Sequence, residues 1–388
     1  MFDNKLLLAL KLVLESFRIP LSVNAAGNNL DIGSLFGRKF APLLGLDIST
    51  SSLKLVELSK DRADNLVLER CGIEPLERGW INEGNIEKFD EVADAARRLI
   101  DKTGTKTKKV AMALPASVVI SKRVVLPAGL SERELEMQVE SEANQYIPFS
   151  LDEVSLDFCV IGPSSTSAGD VDVMIAASRK EKVEDRQALA QAVGLTPDVL
   201  DVESYAARLA AGRVIERLPG GGGAKALIAL FEIGATSSSM QVIRNDDLVY
   251  ERDQVFGGAQ LTQMIARQYG FTTEEAEAKK RGGDLPEDFG SVVLEPFVET
   301  LAQEVDRALK FFFTSTPNSR VDYVMLAGGS GSLPGLTGAV TRHTSFPCQV
   351  INPFEGMEIG RGVREKKMLR EAPSYLTACG LAMRRYLR

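Results

Sequence analysis

An internal echo constrains this chain more than any other feature. One segment reads LLGLDISTSSLKLVEL from Leu43, followed by a polar stretch and then LVLER over 66–70. A second reads LIALFEIGATSSSMQVI from Leu227, followed by the polar turn 244–247 and then LVYER over 248–252. Asp47 aligns with Glu232, Ile48 with Ile233, Ser49 with Gly234, Ser51 with Thr236 and Ser52 with Ser237. Each copy is an apolar run ending in a carboxylate, a tight turn of small and hydroxyl residues, an alternating strand, a polar turn and a third strand. Two such meanders in one chain imply two related domains facing each other.

The chemistry of the turns supports that reading. A Gly/Ser/Thr turn between strands leaves backbone N–H groups and hydroxyls to point at an anion. A carboxylate at a strand end repels phosphate but can hold Mg²⁺ or its waters. Lys54, which follows Asp47 on the next strand, offers a cation to a phosphate. The pair of turns would clamp a polyphosphate–metal unit; the plainer alternative is two ordinary hairpins. Three further elements fit the same chemistry. VDYVMLAGGSGSLPGL gives a strand over 321–326, then Gly328 and Gly329 for close backbone approach, then a helix; such turns also serve packing alone. Thr272 and Glu275 form a capping-box signature, with Glu277 and Lys280 three apart on one helical face. That face either binds a ribose or base edge or is merely a solvated ion pair. Leu200-Asp201-Val202-Glu203 reads as a strand end entering a helix, and it places Glu203 as a second acid.

Composition narrows the function classes. The chain has 388 residues, 44% hydrophobic and 26% charged, with a net charge of −7. That suits soluble globular domains and argues against a broad nucleic-acid footprint. The four cysteines include no C-x-x-C pair and read as reduced thiols in a reducing compartment. The single histidine, His343, leaves a histidine zinc site or a Ser-His-Asp triad without support. No stretch reaches the roughly 20 apolar residues of a spanning helix. Residues 6–17 form an amphipathic helix pattern without a cleavage site. This segment is an interfacial anchor, a helix for a partner, or sequence upstream of the true start. A linker follows over 24–34.

Between Cys71 and Gly194 the pattern departs from the echo. VAMALPASVVISKRVVLP reads as two strands around residues 115–117. Ser131 and Glu134 open a helix bearing Leu135, Val139 and Ala143, and Tyr146-Ile147-Pro148-Phe149 closes it because proline stops a helix. Strands near 154–161 and 171–177 flank a polar loop, and a helix over 180–193 comes next. This makes an α+β insert of strands and two helices. A helix over 293–313 carries Phe297, Leu301, Val305, Ala308 and Phe312 on one stripe and reads as core. Gly220 to Gly223 precede a strand, so they read as a hinge and not as a phosphate loop.

These motifs together resemble the actin/Hsp70/sugar-kinase superfamily, and in finer pattern the PilM family of cytoplasmic, actin-like type IV pilus assembly proteins. The residues carrying the resemblance are LLGLDISTSSLKLVEL, GLSERELEMQVESEANQYIPFSLDEV from Gly129, GLTPDVLDVESYA from Gly194, FGGAQLT from Phe256, RGGDLP from Arg281, FFFTS from Phe311 and LAGGSGSLPGL. They extend from about Leu35 to the C-terminus and leave out residues 1–33.

The resemblance implies an α/β actin/Hsp70-like ATPase fold of two duplicated halves with an insert like the 1C subdomain of FtsA. The implied divisions are an extension over 1–42, the first half over 43–112 and 181–224, the insert over 113–180, and the second half over 225–388 with a helical part near 257–313. It implies ATP with Mg²⁺, the metal held through water by Asp47 and Glu232. The implied nucleotide set is Asp47, Ser49, Ser51, Ser52, Lys54, Glu203, Glu232, Gly234, Ala235, Thr236, Gly258, Glu277, Lys280, Gly328, Gly329 and Ser330. Candidates for catalysis are Asp47, Glu203 and Glu232.

It further implies a partner, the N-terminal cytoplasmic peptide of a PilN-like inner-membrane protein. That peptide would dock beside the insert against Tyr146, Pro148 and Phe149; the first and last of these equally suit core packing. Other pilus assembly or motor proteins are conceivable partners, nucleic acid is not, and membrane association is peripheral, at the inner face of the inner membrane. Two departures stand out: Glu232 replaces the usual Asp, and Ser49 stands where many superfamily members have Gly. One added methylene moves a carboxylate by about an ångström, which argues against fast hydrolysis more than against binding. The expected role is therefore an ATP-binding scaffold. Alternatives are an active ATPase or kinase of the same superfamily and an FtsA-like membrane-anchored filament former.

Overall fold

In the computed structural model, which describes residues 42–164, 166–218, 226–245 and 247–386, the two echoing segments fold as the same motif in the same register. The chain forms two compact units. The first holds the residues through Ala207 with Met357–Val363 and the segment from Thr377; the second holds Arg208–Gly356 and Arg364–Leu376. The N-terminal segment 6–17, the linker after it and the Gly220–Gly223 run lie outside the described residues.

The first unit begins with β1 (Leu44–Ser49), β2 (Ser52–Lys60) and β3 (Leu66–Pro75), an antiparallel meander. A small hairpin of β4 (Ile81–Asn82) and β5 (Asn85–Ile86) leads into α1 (Phe89–Thr103), which ends on Gly104 in the left-handed region. Strand β6 (Lys109–Leu114) then pairs in parallel with β1. The insert follows: β7 (Ile120–Pro127), α2 (Glu132–Tyr146), β8 (Val154–Pro163) and β9 (Asp170–Arg179). Next come α3 (Lys180–Ala192), β10 (Thr196–Val202), parallel to β6, and α4 (Glu203–Ile215).

The second unit repeats the plan. Its meander is β11 (Ile228–Ile233), β12 (Ser238–Arg244) and β13 (Asp247–Gln254). Helices α5 (Gly258–Tyr269), α6 (Thr273–Gly282) and α7 (Glu295–Ser315) come before the parallel strand β14 (Tyr323–Ala327). Then follow α8 (Leu336–Thr344) and β15 (Cys348–Val350); of the remaining elements, α9 (Glu365–Glu371) belongs to this unit, while the two-residue β16 (Glu358–Ile359) and α10 (Leu376–Met383), but for its first residue, belong to the first. The sheets run β10-β6-β1-β2-β3-β16 and β13-β12-β11-β14-β15. Apart from β16 at one edge, each is a three-stranded antiparallel meander extended by two parallel strands, so the duplication is one of topology as well as sequence.

Alternation sets the packing. In the second unit Ala229, Phe231 and Ile233 point to one face, where Phe297, Leu301, Val305, Ala308 and Phe312 of α7 cover them. The stripe expected as core is core. A π-turn over Gly290–Leu294 precedes α7. In the first unit α1 and α3 cover one face of the sheet through Val92, Leu99, Val183 and Leu189. Ala206 and Leu381 lie on the other face with Leu43, Ala111 and Ala113.

The insert differs from its expected make-up. Its sheet has three strands, ordered β7-β9-β8, and one helix, α2, whose Val139 packs on Val124, Leu126, Val173 and Ile175. Strand β6 belongs to the first sheet instead, because it is buried on both faces and pairs in parallel with β1 and β10. Helix α3, which the division at 180 already leaves to the first half, joins the first core through its apolar stripe, so the insert holds one helix and not the two that the pattern suggested. The chain end folds back in a way that a linear division does not capture. Helix α10 returns to the first unit and packs so closely that a Cβ on Gly45 would lie 2.0 Å from the Ala378 carbonyl, and one on Gly380 1.8 Å from that of Ala206.

Candidate functional site

The β1–β2 turn presents the first group of candidate residues. Antiparallel register sets Asp47 opposite Lys54 and Ser49 opposite Ser52. Lys54 Nζ donates to Asp47 Oδ2 at 2.7 Å and to Ser49 Oγ at 2.6 Å. The Ser49 hydroxyl donates in turn to the Ser52 carbonyl at 3.0 Å. Asp47 and Lys54 are both buried, which in this low-dielectric setting makes their attraction far stronger than that of a surface pair. Ser51 and Ser52 are half-buried at the turn. Glu203 opens α4, where β10 delivers the chain, and is half-buried.

The sequence reading missed Arg186. It lies on α3 and is 2% exposed. Its guanidinium donates to the Gly84 carbonyl at 2.7 Å and to the Ala113 carbonyl at 3.4 Å. Burial pushes its pKa down, and the charges of Glu203, Asp185 and Asp47 work against that. The positive charge therefore sits within electrostatic reach of both acids of this unit. The signal was present, since Arg186 occupies the same helical stripe as Val183 and Ala190, where a cation is out of place.

The second unit gathers the other candidates around a cradle of backbone. Gly234 N–H donates to the Ser237 carbonyl at 2.9 Å and closes the β11–β12 turn, with Ala235 and Thr236 at its tip. The first turn of α5 rests on that tip: Gly258 N–H donates to Gly234 O at 3.0 Å and Ala259 N–H to Ala235 O at 2.8 Å. The Gly328–Gly329–Ser330 turn approaches from β14, with Ser330 N–H donating to Ile233 O at 3.1 Å. These approaches are too close for side chains. A Cβ on Gly257 would lie 2.6 Å from Ala235 O, and one on Gly328, where φ is +81°, 2.4 Å from Ile233 O.

Glu277 and Lys280 on α6 close the group. Lys280 Nζ lies 2.7 Å from Glu277 Oε2 and donates to Thr262 Oγ1 at 2.7 Å and to Gly258 O at 3.2 Å. Burial pushes the Glu277 carboxyl up, but the Lys280 charge, hydrogen bonds from Lys280 and Thr262 and the Arg281 charge overcome this and hold it below its ordinary value. The expected ion pair therefore exists, and it is tied to the α5 N-terminus instead of lying loose in solvent. Glu232 is half-buried, and its register partner on β12 is Ser239, so this copy of the motif has no counterpart to Lys54.

Tyr146 and Phe149 pack at the edge of the insert cores, and Pro148 between them is exposed. The Tyr146 hydroxyl donates to Glu142, and its ring lies under Lys122, 5.1 Å from Nζ. The Arg179 guanidinium sits 4.0 Å from the centre of the Phe149 ring. Among the described residues no three carboxylate, thiol or imidazole groups cluster as a metal site, and no helix is long and apolar enough to cross a membrane.

Residues 45–386 match the family described as type IV pilus assembly protein PilM. The chain belongs to the PilM family. Among solved structures, it is 29% identical to a chain of a PilM–PilN type IV pilus biogenesis complex, covering 88% of this chain and 98% of that one with a TM-score of 0.71. The ethanolamine utilization protein EutJ from Carboxydothermus hydrogenoformans is 16% identical, with 88% of each chain covered and a TM-score of 0.53, a likeness of fold alone. The architecture is the actin-like ATPase fold that the family resemblance implied, in a PilM-type pilus assembly protein.

Proposed function

We propose that this chain is a nucleotide-binding scaffold of type IV pilus assembly that docks the cytoplasmic N-terminal peptide of a PilN-like inner-membrane protein. The observation that carries the reading is the likeness to the PilM–PilN complex over nearly the whole of that chain. The residues present suit Mg-ATP. Asp47, Lys54, Ser49, Ser51 and Ser52 offer a cation, hydroxyls and a carboxylate at one turn. Gly234, Ala235 and Thr236 offer a turn of small residues at the other. Gly258 and Gly328 approach that second turn where a Cβ would not fit, with Gly329 and Ser330 beside them. Glu277 and Lys280 would meet the nucleoside, Glu203 the phosphate end, and Asp47 and Glu232 the waters of Mg²⁺. Bound Mg²⁺ would supply charge neutralisation for the phosphates.

Hydrolysis in this reading is slow or absent, because Glu232 carries its carboxylate about an ångström beyond the reach of an aspartate. The peptide would meet the insert at Tyr146, Pro148 and Phe149, and through that partner the protein would reach the inner face of the inner membrane. The test is a titration of a labelled PilN-type N-terminal peptide with and without Mg-ATP. Binding that Mg-ATP shifts, and that falls about tenfold in a Tyr146→Ala/Phe149→Ala variant, supports the scaffold. No peptide binding in either condition defeats it. Phosphate release far above background, lost in Asp47→Ala, would favour the ATPase instead.

A further inference from the structure

We propose that Lys54 is an interlock: it keeps Asp47 closed to divalent cations until a nucleotide phosphate draws the ammonium away. The inference rests on the nucleotide reading above and adds an order of events, phosphate before metal. Three observations carry it. First, the ion pair is direct, at 2.7 Å, and enclosed, the side chains of Lys54 and Asp47 being 10% and 5% exposed. Second, register favours it, because Asp47 and Lys54 are direct cross-strand partners whose backbones the β1–β2 ladder holds side by side, so that only a side-chain rotation of Lys54 parts the charges. Third, Ser49 adds a second hold. Its hydroxyl gives its proton to the Ser52 carbonyl and so turns a lone pair to Lys54 Nζ at 2.6 Å. A glycine at this position would supply no such acceptor.

A divalent cation arriving alone must therefore displace a buried ammonium from its carboxylate and its hydroxyl, and it offers the ammonium nothing in exchange. That exchange is unfavourable, since stripping one partner from a buried pair leaves an uncompensated charge. A phosphate changes the balance. It gives Lys54 an anion to pair with and frees Asp47 to accept the waters of the cation that the phosphate brings. The matching position in the second unit holds Ser239 in place of a lysine.

The test uses Mn²⁺ alone, followed by electron paramagnetic resonance of the full-length protein without nucleotide. Wild type should show no site at Asp47 up to millimolar metal. Lys54→Met should gain one site at least about tenfold tighter, Lys54→Met/Asp47→Asn should lose it, and Ser49→Gly should fall between wild type and Lys54→Met. Lys54→Arg keeps the pair and should stay closed, so it serves, with Ser49→Gly, where Lys54→Met fails a circular-dichroism check of folding. Wild type binding Mn²⁺ as tightly as folded Lys54→Met or Ser49→Gly overturns the interlock. A separate ATP titration tests the nucleotide reading. If ATP fails to bind while the Mn²⁺ pattern holds, that reading falls and Lys54 remains a guard against metal.

Discussion

Arg384→Met should destabilise the first unit by about 3–5 kcal/mol, the cost of leaving one partner of a buried ion pair alone. Arg384 lies in the turn after α10, and its guanidinium bonds Asp201 on β10. The side chains are 3% and 1% exposed, so neither charge has water to fall back on. Asp201 also accepts the N–H of Val202 at 2.7 Å, which fixes its carboxylate in place when the arginine is gone. With a urea slope of about 2–3 kcal/mol per molar, the unfolding midpoint should fall by roughly 1–2 M. Asp201→Asn/Arg384→Met should recover much of that loss, because removing both charges removes the buried imbalance. The assay is urea denaturation followed by far-ultraviolet circular dichroism. A midpoint shift below about 0.3 M for Arg384→Met would refute the reasoning, and with it the claim that the chain end is built into the first unit.

Further expectations follow from close packing and from burial. Gly380→Ala should melt well below wild type in calorimetry, because its Cβ would meet the Ala206 carbonyl at 1.8 Å and neither backbone can yield cheaply; an unchanged melting temperature would contradict the packing. Burial pushes the Cys159 and Cys348 thiols up to about 12, with Asp157 adding to the effect at Cys159, so both should react slowly with Ellman's reagent at pH 8 in the native protein and at once in denaturant. The hydrogen bond to Glu142, then burial and the charge of Glu142, raise Tyr146 to about 12. The raised value means the neutral phenol is favoured, so its contribution holds below pH 10 and is lost as pH climbs towards 12. Phenolate absorbance of wild type and Tyr146→Phe should therefore coincide between pH 10 and 11 and part only above that.

The echo made the duplicated meanders legible because both copies alternate apolar and polar residues between the same turn chemistry, and the register Asp47–Lys54 follows from a two-residue hairpin. The capping boxes at Ser131 and Thr272 likewise form as the sequence implies. What stayed hidden was tertiary. The unbroken apolar run of β6 suits burial on both faces, and β7 interrupts its apolar residues with Ser121, Lys122 and Arg123, but nothing local names the strands that each pairs with. The return of α10 to the first unit leaves only Gly45 and Gly380 as traces, and a glycine in a strand or helix has many explanations. Arg186 stayed hidden because it is one of several charged residues along α3, and only the packing of the helix shows which of them is buried. The polar identity of Glu277 and Lys280 was clear, but their tie to the α5 N-terminus depends on how α5 and α6 pack.

The central claim is that both turns serve one nucleotide-binding function. Isothermal titration of Mg-ATP into wild type, Lys54→Met and Gly328→Val tests it most directly. Saturable binding to wild type that weakens at least about tenfold in each variant is the predicted result. Wild-type affinity retained in either folded variant, or no binding to wild type at millimolar Mg-ATP, would contradict it.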